Sequence, residues 1–287
     1  MCDERTEKEI EEYLLNRRDF GKLTLAAGVM ATLPAMADAL AVTESVVDVP
    51  MQDGVSDCYF VRPAEGKYPG VLMWPDIKGL RPAYKTMGKR LAQAGYAVLV
   101  VNPFYRDLKH PVIGPEADFS NPETREFLRG MARKLNQDNA ISDARHYIKF
   151  IDAQDAVDTN RKIGTMGYCM GGPLIMRTAA AVPDRVGAAA SYHGGGLVTD
   201  KPDSPHLLIP KSPAQVLHAI AENDDKKSPT VKDDLRKAYL AAGVEAEIEV
   251  YEDTLHGWCA IDSSIYHEVQ AEKAWARTLA LFERALG

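Results

Sequence analysis

Cysteine is scarce in this chain: four in 287 residues, at positions 2, 58, 169 and 259. Residues so few and so far apart cannot make the dense disulfide framework that staples a small secreted domain. None stands in the C-x-x-C spacing of a zinc site, so neither a metal nor any other cofactor is expected. Positive charge is also in short supply. Lysine and arginine number 34 against 41 acids, a formal net charge of −7, and no basic stripe is present. A nucleic-acid partner is therefore not expected. Long apolar runs are missing as well. The segment 23–33 is small and apolar, but it is short and interrupted by Thr24, Thr32 and then Pro34, so no stable membrane span is expected. What is present is an ordinary hydrophobic content of 46%, enough for the sizeable core of one large α/β domain or two small ones.

Arg17 and Arg18 stand just before the short apolar run, in N-R-R-D-F-G-K, and the small-residue triplets A-M-A and A-D-A follow at 35–37 and 37–39. A basic start, a short apolar stretch and small residues at a cleavage site are the marks of an export signal, and the paired arginines resemble the twin-arginine type. Residues 1–39 are thus expected to be a signal, residues 40–287 a single domain, and the protein periplasmic. The alternative is a retained amphipathic helix on a cytoplasmic protein, which the acidic character of residues 3–12 favours.

From residue 46 onward strand-like and helix-like stretches alternate. Residues 46–49 and 55–61 read as a hairpin turning at Asp53-Gly54. Segments 70–74 and 96–101 are short and apolar throughout, as strands buried on both faces must be. The spacing predicts a helix over 83–94, ended by Gly95, and a long one over 122–156. Further strands are expected at 162–166, 186–192, 214–220 and 245–251. Helices are expected after Gly171, near 231–242 and over 264–286. Repeated β-α-β units imply an α/β fold: a doubly wound, mostly parallel sheet with helices on both faces. Residues 107–121 read as a loop.

The most informative motif is G-Y-C-M-G-G at 167–172, between a predicted strand and a predicted helix. This is the context of a nucleophile elbow, with Cys169 at its apex. The turn is so sharp that side chains two positions either side of the nucleophile would strike backbone, and Gly167 and Gly171 remove them. The following helix N-terminus favours a thiolate and an oxyanion. The elbow needs an acid and a histidine downstream, each at a strand end. Asp224 follows the strand 214–220 in A-E-N-D-D, with Glu222 and Asp225 as competitors. His256 follows the strand 245–251 in E-D-T-L-H-G. In this arrangement His256 takes the thiol proton, Asp224 fixes the imidazole tautomer, and Cys169 attacks a carbonyl to form a thioester that water hydrolyses. The oxyanion requires two backbone donors, expected from Met170 and from Ile77 in W-P-D-I-K-G-L. His193, at a strand end in Y-H-G-G-G, is placed to line the pocket. The remaining histidines read as structural or surface groups.

These residues resemble the dienelactone hydrolase family (carboxymethylenebutenolidase-like) of the α/β-hydrolase superfamily. The resemblance runs from about residue 46 to the C-terminus and is carried by the elbow, the acid and the His-Gly loop. It implies a Cys-Asp-His hydrolase that opens lactones or cleaves esters of small molecules. It also implies that Asp76 is the oxyanion-loop carboxylate that helps switch the cysteine to thiolate. Arg106, in N-P-F-Y-R, resembles the arginine that holds a substrate carboxylate. A second arginine after the triad histidine is replaced here by H-G-W-C-A, which makes Trp258 a candidate apolar wall of the pocket. A thioesterase or acyltransferase would use the same triad. A non-catalytic binding protein would be expected to lack a triad member. A thiol redox protein would need a resolving cysteine, for which Cys259 is the candidate.

Overall fold

The segments Gly70–Trp74 and Ala97–Val100 are apolar or glycine at every position and buried throughout. Strands of that kind are stable only where helices cover both faces of a sheet. The computed structural model has this arrangement and describes residues 8–9, 30–34, 36, 38–114, 117 and 119–287. Arg17 and Arg18 of the expected export signal lie outside them. One sheet contains β1 (Val42–Met51), β2 (Gly54–Pro63), β3 (Gly70–Trp74), β4 (Ala97–Val100), β5 (Ile163–Tyr168), β6 (Val186–Tyr192), β7 (Gln215–Ala221) and β8 (Ala246–Tyr251). Their order is β1-β2-β4-β3-β5-β6-β7-β8. β2 runs antiparallel to β1 and β4, and all other neighbours are parallel. The helices are α1 (Pro82–Gln93), α2 (Pro122–Ala132), α3 (Gln137–Asp152), α4 (Gly171–Ala181), α5 (Glu222–Lys227), α6 (Val231–Ala242) and α7 (Glu268–Ala285).

Because strand side chains alternate between faces, β3 feeds two cores. Leu72 and Trp74 pack with Tyr147 and Ile151 of α3 and Leu174 and Ile175 of α4. Val71 and Met73 pack with Leu91 of α1 and Leu281 and Phe282 of α7. Trp74 is fully buried, and its Nε1–H donates to Thr178 Oγ1 at 3.1 Å, so the indole leaves no donor unpaired.

Two local expectations need correction. The single helix expected over 122–156 is two, α2 and α3. Asn136 has extended backbone, and its side chain accepts from the Asn139 N–H, capping α3. Asparagine suits that place because its amide competes for nearby backbone groups and disfavours helix interiors. The hairpin turn lies one residue earlier than expected. Met51 pairs with Gly54, so Gln52 and Asp53 form the loop. Gly54 opens β2 at φ 142°, a conformation that needs glycine.

Candidate active site

Residues 167–172 make a sharp turn from β5 into α4. Cys169 sits at φ 53°, in the left-handed region that a side chain adopts only at a cost. The glycines are required by contact distances. A methyl group on Gly167 would lie 2.1 Å from Gly171 O, and one on Gly171 would lie 2.5 Å from Trp74 O. Gly172 is equally constrained, since a methyl there would sit 2.4 Å from Gly194 Cα.

The elbow holds Cys169 beside His256. The Sγ to Nε2 distance is 3.0 Å, and His256 Nδ1 lies 2.7 Å from Asp224 Oδ2. The carboxylate sets Nδ1 as the protonated nitrogen, leaving Nε2 toward sulfur. All three side chains come from C-terminal strand ends of the parallel sheet. Asp224 follows the end of β7, as expected, and lies in the first turn of α5. The start of α5 and the loop after β8 are cross-bound. The His256 N–H donates to Asn223 Oδ1 at 2.9 Å, the Glu222 N–H to Thr254 Oγ1 at 3.1 Å, and the Asp253 N–H to Glu222 Oε2 at 2.8 Å. Glu222, a competitor for the acid's place, is therefore a loop brace. Asp225 pairs with Lys232 at 2.6 Å. Asn223 and Thr254 had no signal in the sequence beyond lying next to Asp224 and His256.

The loop after β3 lies against the elbow, as the approach of Trp74 O to Gly171 requires. It carries Ile77, which is buried, and Asp76. Asp76 binds the Arg81 guanidinium with both oxygens, at 2.7 and 2.9 Å, and accepts the Lys78 N–H at 2.8 Å. Burial opposes ionisation of Asp76, but Arg81 outweighs it and holds the carboxyl below its ordinary value. Arg81 also grips Asp262 at 2.6 and 2.9 Å, so the loop is moored to the segment that follows His256. Nothing in the sequence pointed to Arg81.

His193 is buried at the end of β6, with its ring centroid 5.0 Å from that of His256 and the planes at 65°. Burial first, then the neighbouring His256, pushes its pKa down to about 3.

Two residues expected to contact substrate are engaged by the protein's own side chains. Arg106 binds Asp143 with two nitrogens at 2.7 Å each and Asp53 with Nε at 2.8 Å. Asp143 is fully buried and also accepts from the Tyr105 hydroxyl at 2.8 Å. The guanidinium is thus taken up by the protein's own carboxylates, and the sequence could not reveal this because Asp53 and Asp143 are remote along the chain. Trp258 is fully buried and stacks on Tyr251 at 4.8 Å in the core beneath α7. Gly257, at φ 108°, turns the chain just before the indole, which packs in this core. Cys58 and Cys259 form no disulfide with each other. Burial raises the Cys58 thiol to about 12 and the Cys259 thiol well above its ordinary value, which makes Cys259 a poor resolving thiol.

With this geometry established, the chain can be compared with known proteins. The sequence profile of the dienelactone hydrolase family matches residues 56–286. A Salmonella typhi protein provisionally named carboxymethylenebutenolidase is 28% identical over 248 residues, covering 84% of this chain and 87% of that protein. The carboxymethylenebutenolidase of Rhodococcus opacus is 26% identical, over 75% and 81% of the two chains. A crystal structure of a provisionally assigned dienelactone hydrolase from Klebsiella pneumoniae superposes with a TM-score of 0.73 at 25% identity, covering 85% of this chain and 99% of that one.

Proposed function

Since this chain belongs to the dienelactone hydrolase family, we propose that it hydrolyses small carboxylic esters or lactones through a Cys169-His256-Asp224 triad. The observation that carries this reading is the unbroken chain of two short contacts, Sγ to Nε2 at 3.0 Å and Nδ1 to Asp224 at 2.7 Å, beneath an elbow that only glycines permit. His256 Nε2 accepts the thiol proton as Sγ bonds to the carbonyl carbon. The tetrahedral oxyanion accepts from the N–H groups of Met170, at the start of α4, and Ile77. Collapse expels the alkoxide, which takes its proton from the imidazolium. In a lactone the leaving oxygen stays tethered to the acyl group. The thioester is then hydrolysed by water with His256 again as base, regenerating the thiol. Asp224 accepts from the Nδ1–H throughout and stabilises the imidazolium. Asp76 shapes the oxyanion loop from its ion pair with Arg81.

Alkylation and kinetics test the reading together. Iodoacetamide should modify Cys169 ahead of Cys58 and Cys259, whose thiols burial keeps protonated. Cys169→Ala should lower kcat on an aryl ester by roughly 10⁴-fold or more, because triad members act as a unit. Full esterase activity in Cys169→Ala, or inactivation with Cys169 unmodified in the peptide map, sinks the mechanism.

A further inference from the structure

The thioester on Cys169 must be broken by water, and the triad offers that water one partner, His256. We propose that His193 is the second partner, a side chain that orients the hydrolytic water for attack on the thioester. The proposal rests on Cys169 being the nucleophile.

The segment around His193 is built onto the nucleophile. The Cys169 N–H donates to Tyr192 O at 3.0 Å, and the Gly195 N–H donates to Cys169 O at 3.4 Å. The His193 N–H is anchored to Ala219 O of β7 at 2.8 Å. The backbone there is strained. His193 has φ 39°, and among the described residues other than glycine only Cys169 and Asp253 share a positive φ. Such strain costs of order 1–3 kcal/mol and persists where the surrounding structure enforces it. The ring is 1% exposed, and neither of its nitrogens has a partner among the described residues. Other buried side chains, Trp258 and Tyr251 among them, also carry an unpartnered polar atom, but the two nitrogens of His193 sit on a ring 5.0 Å from the imidazole of His256.

Its chemistry suits a water better than an anion. With its pKa pushed down to about 3, the ring is neutral at neutral pH. It offers one donor and one acceptor and does not compete with His256 for the proton. In deacylation the water oxygen bonds to the thioester carbonyl carbon. One water proton passes to His256 Nε2, and the other hydrogen is held by the unprotonated nitrogen of His193. The C–S bond then breaks, the sulfur leaves as thiolate paired with the imidazolium, and the carboxylic acid departs. Acylation makes no such demand, because Sγ already lies 3.0 Å from Nε2 and no water takes part. A water in a polar site needs two or more partners to be held in one orientation.

The two half-reactions separate in stopped-flow kinetics with p-nitrophenyl acetate. His193→Ala should leave the burst of p-nitrophenolate close to the wild-type rate and slow the steady state by about tenfold, the loss of one hydrogen bond in the second step. An acetyl group should accumulate on Cys169, seen by intact-mass and peptide mapping. His193→Asn, which accepts left-handed backbone and keeps a donor and an acceptor, should show the same unchanged burst and recover part of the lost rate. Burst and steady state falling together in either variant, or a steady state undiminished in His193→Ala, overturns the proposal. A wild-type acetyl adduct mapping to a residue other than Cys169 instead sinks the nucleophile assignment on which it stands.

Discussion

At the scale of single residues, charge is spent inside the protein before it can be offered to a substrate. Arg106 illustrates the balance. Its side chain is 10% exposed and that of its partner Asp143 is 1% exposed, so removing the arginine leaves a buried carboxylate without its counter-charge. Breaking a buried pair by deleting one member costs about 3–5 kcal/mol. Arg106→Met should therefore lower the unfolding free energy by an amount of that order, while KM for anionic and neutral esters shifts equally or not at all. Urea denaturation beside kinetics on both substrate types decides the point. A KM rise confined to anionic esters would restore Arg106 to the pocket. Arg81 follows the same rule, held between Asp76 and Asp262.

At the scale of elements, the site is a meeting of five strand ends, and its accuracy depends on how closely the segments that follow them approach. The β5–α4 turn touches the β3–α1 loop through Gly171 and the β6 loop through Gly172. A methyl on Gly171 would stand 2.5 Å from Trp74 O and 3.0 Å from Pro75 O, both backbone atoms that a rotamer change cannot move. Gly171→Ala should thus displace the β3–α1 loop, which carries Ile77, the proposed oxyanion donor. The expected cost is about 1–3 kcal/mol of stability, as for overpacking elsewhere, and a fall in kcat with little change in KM. Alkylation of Cys169 should persist, because Sγ and His256 are not on the displaced loop. Wild-type kcat in this variant would show that the loop yields without consequence. The cross-bonds between the start of α5 and the loop after β8 play the complementary part, since Asn223 fixes the His256 backbone while its neighbour Asp224 fixes the ring.

For the whole molecule, buried neutral histidines tie stability to pH. His218 is fully buried in β7, with Nε2 2.9 Å from the Tyr239 hydroxyl, and burial lowers its pKa to about 3. His193 is lowered to the same level. In the unfolded chain each takes up a proton near its ordinary value of 6.5, whereas in the native protein each resists protonation until about 3. Between these limits the unfolded state binds more protons. The contribution to stability is therefore complete above about 6.5 and is lost as pH falls toward about 3, at about 1.4 kcal/mol per pH unit for each histidine. His218→Gln, which can keep the Tyr239 contact, should reduce the slope of unfolding free energy against pH by about one proton across this window. Urea titrations at a series of pH values measure that slope, and an unchanged slope would mean that His218 is protonated in the native state.

Local patterns in the sequence determined much of this. The apolar runs at 70–74 and 186–192, the glycines around Cys169 and the order of Cys169, Asp224 and His256 specify strands, elbow and the proposed triad, because each rests on neighbouring residues or on chain order. The split between α2 and α3 was legible in principle in the capping asparagine at 136, but helical spacing on both sides masked it. What the tertiary structure alone decided is which charges and rings meet. Arg106 closes on Asp53 and Asp143, Arg81 joins Asp76 to Asp262, Trp258 turns into the core, and the nitrogens of His193 come to lie unpaired beside His256. These outcomes depend on distances between segments far apart along the chain, and such distances exist only once the sheet has brought its strand ends together.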